Sequence, residues 1–235
     1  YFRLMASMRI LRMEIPMNFT LELLEVELLK TIDACGLNDK SASVRLTVTR
    51  NAGGKYLPED NNVSFYAFAS ELNDPFFIMN EAIYEVDLYK DHYLNADLLS
   101  TLKTANKLIH VTGSIFAKEN NLANCLLINT NKSIAEALNG NLFLVKDNHI
   151  KTPPLTEGCL RGIVRKQLID ILEKIDTYTF EEAPISPFEL QKADELFITN
   201  SIMGIQPITK YRKKVYTNLV AKNLLGKLNA KARLG

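Results

Sequence analysis

Apolar residues recur at two different periods along the chain, and the changes between them outline the elements. In FTLELLEVELLKTIDAC (19–35), Leu21, Leu24, Leu28 and Ile32 fall on one face at helical spacing, and Gly36 is suited to end that helix. The first residues, YFRLMASMRILRMEIP, also read as an amphipathic helix, one that opens without a cap. Period two then takes over. SVRLTVTR (43–50) alternates, VSFYAFAS (63–70) is rich in β-favouring residues, and the glycine-bearing loop NAGGKYLPEDNN lies between them. LNDPFFIMNEA, with its proline, predicts a linker over 75–82. Beyond it the pattern predicts a strand at IYEVDLYK and a helix that holds Lys103 and runs through KLIHVTGSIFAKEN. Strands at NCLLINT and NLFLVKDN follow, then a helix at IVRKQLIDILEKI, a strand at ADELFITNS and a cationic terminal helix. Such mixing of elements gives an α/β (α+β) class, with a small N-terminal domain over 1–74 and a larger one over 83–235.

Composition narrows the function classes. With 28 basic and 27 acidic residues the net charge is +1, which gives no general attraction to nucleic acid or to a membrane surface. In the cationic tail, Val215, Leu219, Val220, Leu224 and Leu228 recur at helical spacing, so a packed terminal helix with a basic outer face explains those residues better than a nucleic-acid arm. No apolar run reaches the length of a membrane span. Cys35, Cys125 and Cys159 are far apart and lack a CxxC pattern, as expected for reduced, structural cysteines in a cytoplasmic protein. His92, His110 and His149 are isolated, so neither a histidine triad nor a metal centre is indicated. GxGxxG and GxxxxGK[ST] are both absent.

The remaining chemistry centres on one amine. Lys103, in LLSTLKTANKL, has no carboxylate in its stretch. An amine among apolar groups loses hydration, and its neutral form becomes available to attack a carbonyl. Downstream, Glu136 precedes a strand-like run, Gly162-Ile163-Val164 is a loop-to-helix junction whose N–H groups can cradle a phosphate, and Thr199-Asn200-Ser201 offers further donors.

Five blocks in order resemble the class IV aminotransferases, the fold-type IV pyridoxal phosphate enzymes, over essentially the whole chain. YFRLMASMRIL is similar to the early helix whose arginine grips the cofactor phosphate, here Arg3. LKTANKL resembles the segment of the Schiff-base lysine, here Lys103. AEALNGNLF resembles E-x-x-x-x-N-[LI]-F, whose glutamate meets the pyridine nitrogen, here Glu136, with Asn141 and Phe143 at the family's offsets. LRGIVR resembles the phosphate turn, here Gly162, Ile163 and Val164, and FITNSIMGIQPI the second phosphate loop, here Asn200 and Ser201. The resemblance implies pyridoxal 5'-phosphate, a small-molecule amine substrate, a two-domain homodimer, and strands of the small domain that precede Tyr1.

Within the family, VRLTVTRNAGGKYLP and NSIMGIQPI look more like 4-amino-4-deoxychorismate lyases than branched-chain aminotransferases. That branch implies Arg50 and Lys55 as binders of a substrate carboxylate. Asn51 and Leu57 stand where the lyase pattern has glycines, and Leu108 where some members carry an aromatic residue. An amino-acid transaminase, for branched-chain or D-amino acids, and a non-catalytic relative of the fold are the alternatives. Erosion at the lysine or the glutamate would mark the non-catalytic relative, and Lys103 and Glu136 are both intact.

Overall fold

The early helical pattern becomes α1 (Phe2–Ile10) and α2 (Leu21–Ala34) in the computed structural model, which describes residues 1–234. Thr20 caps α2 by accepting from Leu23 N at 3.2 Å, and Gly36, at φ +65°, turns the chain away from it. Of the expected apolar stripe on α2 only Leu24 is buried, while Leu21 is half exposed. The alternating stretches form an antiparallel hairpin, β1 (Ala42–Arg50) with β2 (Val63–Glu71), in register from Ala42↔Glu71 to Arg50↔Val63. Met5, Met8, Phe19 and Leu24 form a core that Leu46, Val48 and Val63 of the hairpin cover. These elements make one unit, Tyr1–Pro75, and Phe76–Gly235 makes the other. In the second unit Phe77 and Met79, from the segment expected to be a linker, pack on its helix-side core.

The second unit holds two five-stranded sheets. One runs β12-β11-β3-β4-β5, from Lys214–Val215, Lys210–Tyr211, Glu85–Leu94, Asn124–Asn129 and Ile134–Ala137; the other runs β10-β9-β6-β7-β8, from Gly204–Ile208, Glu195–Asn200, Asn141–Lys146, His149–Thr152 and Thr179–Glu182. Alternation sorts each strand between two layers. In β6, Leu142 and Leu144 join Leu126, Ile128 and Leu196 in one cluster, while Phe143 and Val145 join the opposite one with α4 (Ile163–Leu172) and α6 (Leu219–Leu234). In the first sheet, Cys125 and Leu127 of β4 pack with Ala117 and Phe116 of α3 (Leu108–Glu119). The order of layers is therefore helix, sheet, sheet, helices.

Several expectations need correction. Lys103 is not helical: a short 3-10 turn at Leu99–Thr101 ends in extended backbone at Leu102 (φ −88°, ψ 144°), and α3 starts only at Leu108. Glu136 lies within a strand, β5, opposite Leu127 of β4, and not before one. The terminal helix starts at Leu219, and Val215 sits on β12, exposed. The edge strands β10 and β12 and the short strands β5, β7, β8 and β11 have no counterpart in the sequence pattern. Most are two to four residues long, too short for a period to show, and exist through pairing. Pro207 is tolerated in β10 because that strand is an edge, paired only with β9.

Candidate active site

The connection from Gly158 to Gly162 is where the candidate residues of the second unit meet. Arg161 N donates to Thr101 O at 3.0 Å, which fastens this connection two residues from Lys103. Gly158 (φ +88°) permits the approach, since a Cβ there would lie 2.7 Å from Leu94 Cδ2 and 3.0 Å from Ala96 Cα. Leu102 is buried and Lys103 exposed, so the lysine leaves an anchored backbone for the surface.

Leu160 N, next along, donates to Glu136 Oε2 at 2.8 Å, and His110 Nε2 lies 2.9 Å from Glu136 Oε1. Glu136 is buried at 3% exposure on β5, the end strand of its sheet, all four residues of which are buried; a buried carboxylate persists only with such donors. Leu160 O accepts from Asn141 Nδ2 at 2.8 Å. The cysteine beside this network, Cys159, is itself pushed up to about 12 by burial, so it is a neutral thiol and not a nucleophile.

At the far end of the connection α4 begins. Its first residue is Ile163, and Gly162 (φ −70°, ψ 141°) supplies no side-chain cap, which leaves the first-turn N–H groups of Ile163 and Val164 for an anion. A Cβ on Gly162 would lie 2.1 Å from Asn141 Oδ1, so glycine is what lets this turn close on β6. Asn141 in turn pairs in register with Thr199 of β9. That brings the Asn200-Ser201 turn alongside: Asn200 Oδ1 accepts from Ile202 N and Met203 N at 3.0 and 2.9 Å, and its Nδ2 donates to Asn139 O at 3.0 Å. Lys103, Glu136, Gly162, Ile163, Val164, Asn200 and Ser201, far apart in sequence, are thus linked through one connection and its strand neighbours.

The other three candidates belong to the first unit. Arg3 lies on α1, half-buried, and burial lowers the affinity of its guanidinium for its proton relative to an ordinary arginine. Arg50 is the last residue of β1 and not on the loop. Its Nη2 donates to Leu11 O at 2.5 Å and its Nη1 to Asn61 Oδ1 at 2.6 Å and Arg12 O at 3.3 Å. These bonds satisfy carbonyls at the end of α1, so a substrate carboxylate would have to compete with them. Lys55 lies on the 51–62 loop, exposed.

Sequence reasoning missed His110 and the Leu160 amide. His110 looked isolated because its partner is 26 residues away, and a backbone donor carries no residue signature. The one available signal was position: His110 follows Lys103 by seven residues, on the helix that the lysine segment enters.

The described residues fit a pyridoxal phosphate. The uncapped start of α4 suits a phosphate dianion, the buried carboxylate suits a protonated ring nitrogen, and the exposed amine suits a carbonyl carbon. Comparison with known proteins points the same way. The profile of the amino-transferase class IV family matches residues 1–211. A Methanocaldococcus jannaschii protein provisionally named a branched-chain-amino-acid aminotransferase is 28% identical over 230 residues, 97% of this chain and 78% of that one. The aminodeoxychorismate lyase of Vibrio harveyi is 24% identical over 179 residues, 74% of this chain and 64% of its own. The crystal structure of the branched-chain aminotransferase from Thermoproteus uzoniensis with norvaline superposes with a TM-score of 0.84 at 19% identity, over 97% of this chain and 75% of that one. The branched-chain aminotransferase structure from Thermobaculum terrenum in its PLP-form has a TM-score of 0.80 at 21% identity, covering 97% and 75% of the two chains.

Proposed function

The chain belongs to the class IV aminotransferases, a family of pyridoxal phosphate enzymes, and from that premise we propose that Lys103 is the catalytic amine of an enzyme acting on a small primary-amine substrate. The observation that carries this reading is the Gly158–Gly162 connection, which ties the Lys103 segment, the Glu136 carboxylate and the start of α4 together. When bound, pyridoxal phosphate withdraws electrons from the substrate carbon that bears the amine. Lys103 Nζ then takes the proton from that carbon and returns it later. Glu136 holds the proton of the ring nitrogen by keeping negative charge beside it. The N–H groups of Ile163 and Val164, with Asn200 and Ser201, hold the phosphate; Arg3 is assigned to the same phosphate on the resemblance of its helix.

The finer reading is a lyase like those acting on 4-amino-4-deoxychorismate, which releases pyruvate and p-aminobenzoate. Its support is the N-S-I-M-G-I-Q-P-I segment, in which Asn200 organises the turn. Transamination of a branched-chain or D-amino acid is the second reading, favoured by the fuller overlap with the M. jannaschii relative. The two diverge only after Lys103 has taken the proton. Of the two candidates for a substrate carboxylate Lys55 is preferred, since Arg50 already donates to Leu11 O, Arg12 O and Asn61 Oδ1. A homodimer belongs to the same reading.

Protein loaded with pyridoxal phosphate is expected to show a visible band that borohydride abolishes, and Lys103→Ala to lack it. The same band in the variant would refute the assignment. Incubation with aminodeoxychorismate, and separately with branched-chain or D-amino acids plus a 2-oxo acid, then decides between pyruvate release and amino transfer.

A further inference from the structure

We propose that His110 is a positioning residue that holds Glu136 against the cofactor ring as a neutral imidazole donating from Nε2; this rests on the assignment of Glu136 above. The ring is 14% exposed and the carboxylate 4%, so their 2.9 Å contact is largely shielded from water. Glu136 is thereby gripped from two sides, by Leu160 N on Oε2 and by His110 on Oε1, and these donors come from different elements. Two bonds at opposite oxygens set the plane of the carboxylate, which a single bond would leave free to rotate. Each oxygen keeps a second lone pair for the proton of a ring nitrogen.

The tautomer follows from the other nitrogen. His110 Nδ1 is buried and has no partner among the described residues. If Glu136 donated to Nε2, or if the ring were charged, Nδ1 would carry a hydrogen aimed at nothing. An orphaned buried donor is the costlier and rarer defect, whereas an unused lone pair is better tolerated. The arrangement with least cost is Nε2–H donating to an ionised Glu136, with Nδ1 bare. In the same geometry His110 joins two parts of the candidate site. It sits in the first turn of α3, at the end of the segment that carries Lys103, and its contact fixes that helix start to β5.

The test uses the full chain. In protein free of cofactor, nitrogen NMR of His110 is expected to show a protonated Nε2 and an unprotonated Nδ1; a protonated Nδ1 overturns the proposal. In the loaded enzyme, His110→Phe keeps the bulk without the donor and His110→Gln restores an N–H at similar reach. The phenylalanine variant is expected to bind pyridoxal phosphate roughly tenfold more weakly, the size of one lost hydrogen bond to a charged group, and to shift the visible band. The glutamine variant is expected to recover most of both. Equal affinity and spectrum in wild type and His110→Phe, or a glutamine variant as impaired as phenylalanine, would show that His110 only fills space. Should His110→Phe not fold, the NMR result and the glutamine variant still decide. Failure of the Lys103 assignment reads differently, as the absence of a borohydride-sensitive band in the wild type, with the NMR result unaffected.

Discussion

Single residues at this site are constrained by what lies within one side chain's reach. Gly162 is the sharpest case. Asn141, whose Oδ1 a Cβ would strike, is itself buried and donates to Leu160 O, so it cannot swing away freely. Gly162→Ala is therefore expected to displace Asn141, loosen the start of α4 and weaken pyridoxal phosphate binding by roughly tenfold or more, about the effect of one hydrogen bond to a charged group. Fluorescence titration with the cofactor would measure it, and unchanged affinity would mean that the α4 turn is not the phosphate site. The sequence nominated Lys103, Glu136 and Gly162 because their chemical types are uncommon in such surroundings and follow a resemblance in fixed order. It did not nominate His110 or Leu160, whose roles depend on partners at 26 and 24 residues' separation.

Elements, in turn, are held by groups outside themselves. α6 begins over the buried Glu195 of β9, whose Oε1 accepts from Val220 N and whose Oε2 accepts from Ala221 N, both at 3.0 Å, with Thr217 Oγ1 adding a third bond at 3.2 Å. A carboxylate at a helix N-terminus satisfies orphan donors and complements the helix dipole. Glu195→Ala removes all three bonds and leaves buried N–H groups without partners, so a loss of about 2–4 kcal/mol is expected in chemical denaturation. A loss under about 0.5 kcal/mol, the range of ordinary surface substitutions, would mean that water replaces the cap. The long helices and the strands β1, β2, β4, β6 and β9 were readable because each runs long enough to show its period. The Lys103 segment was misread as helix because TLKTANKL has tolerable helix formers, yet the tie from Arg161 N to Thr101 O, just before the extended Leu102, fixes the backbone in another shape.

Across the molecule the two units differ in how much core they own. Among the described residues, the second unit contains three apolar clusters on and between two sheets, whereas Tyr1–Pro75 has one, under a hairpin whose strands have no fully buried residue. Amides of β1 and β2 are accordingly expected to exchange with deuterium faster than those of β4, β6 and β9. Equal protection would show that the hairpin draws on more support than its own cluster. Local periodicity and the order of five short blocks were enough to establish the α/β class and the family, and to nominate the lysine and the glutamate, because burial patterns and chemical types are written position by position. Long-range pairing was needed for the short strands, the loop placement of Lys103, the clamp on Glu136 and the diversion of Arg50. Each of these is a hydrogen bond or a steric fit between distant segments, and its energy exists only once both partners are in place.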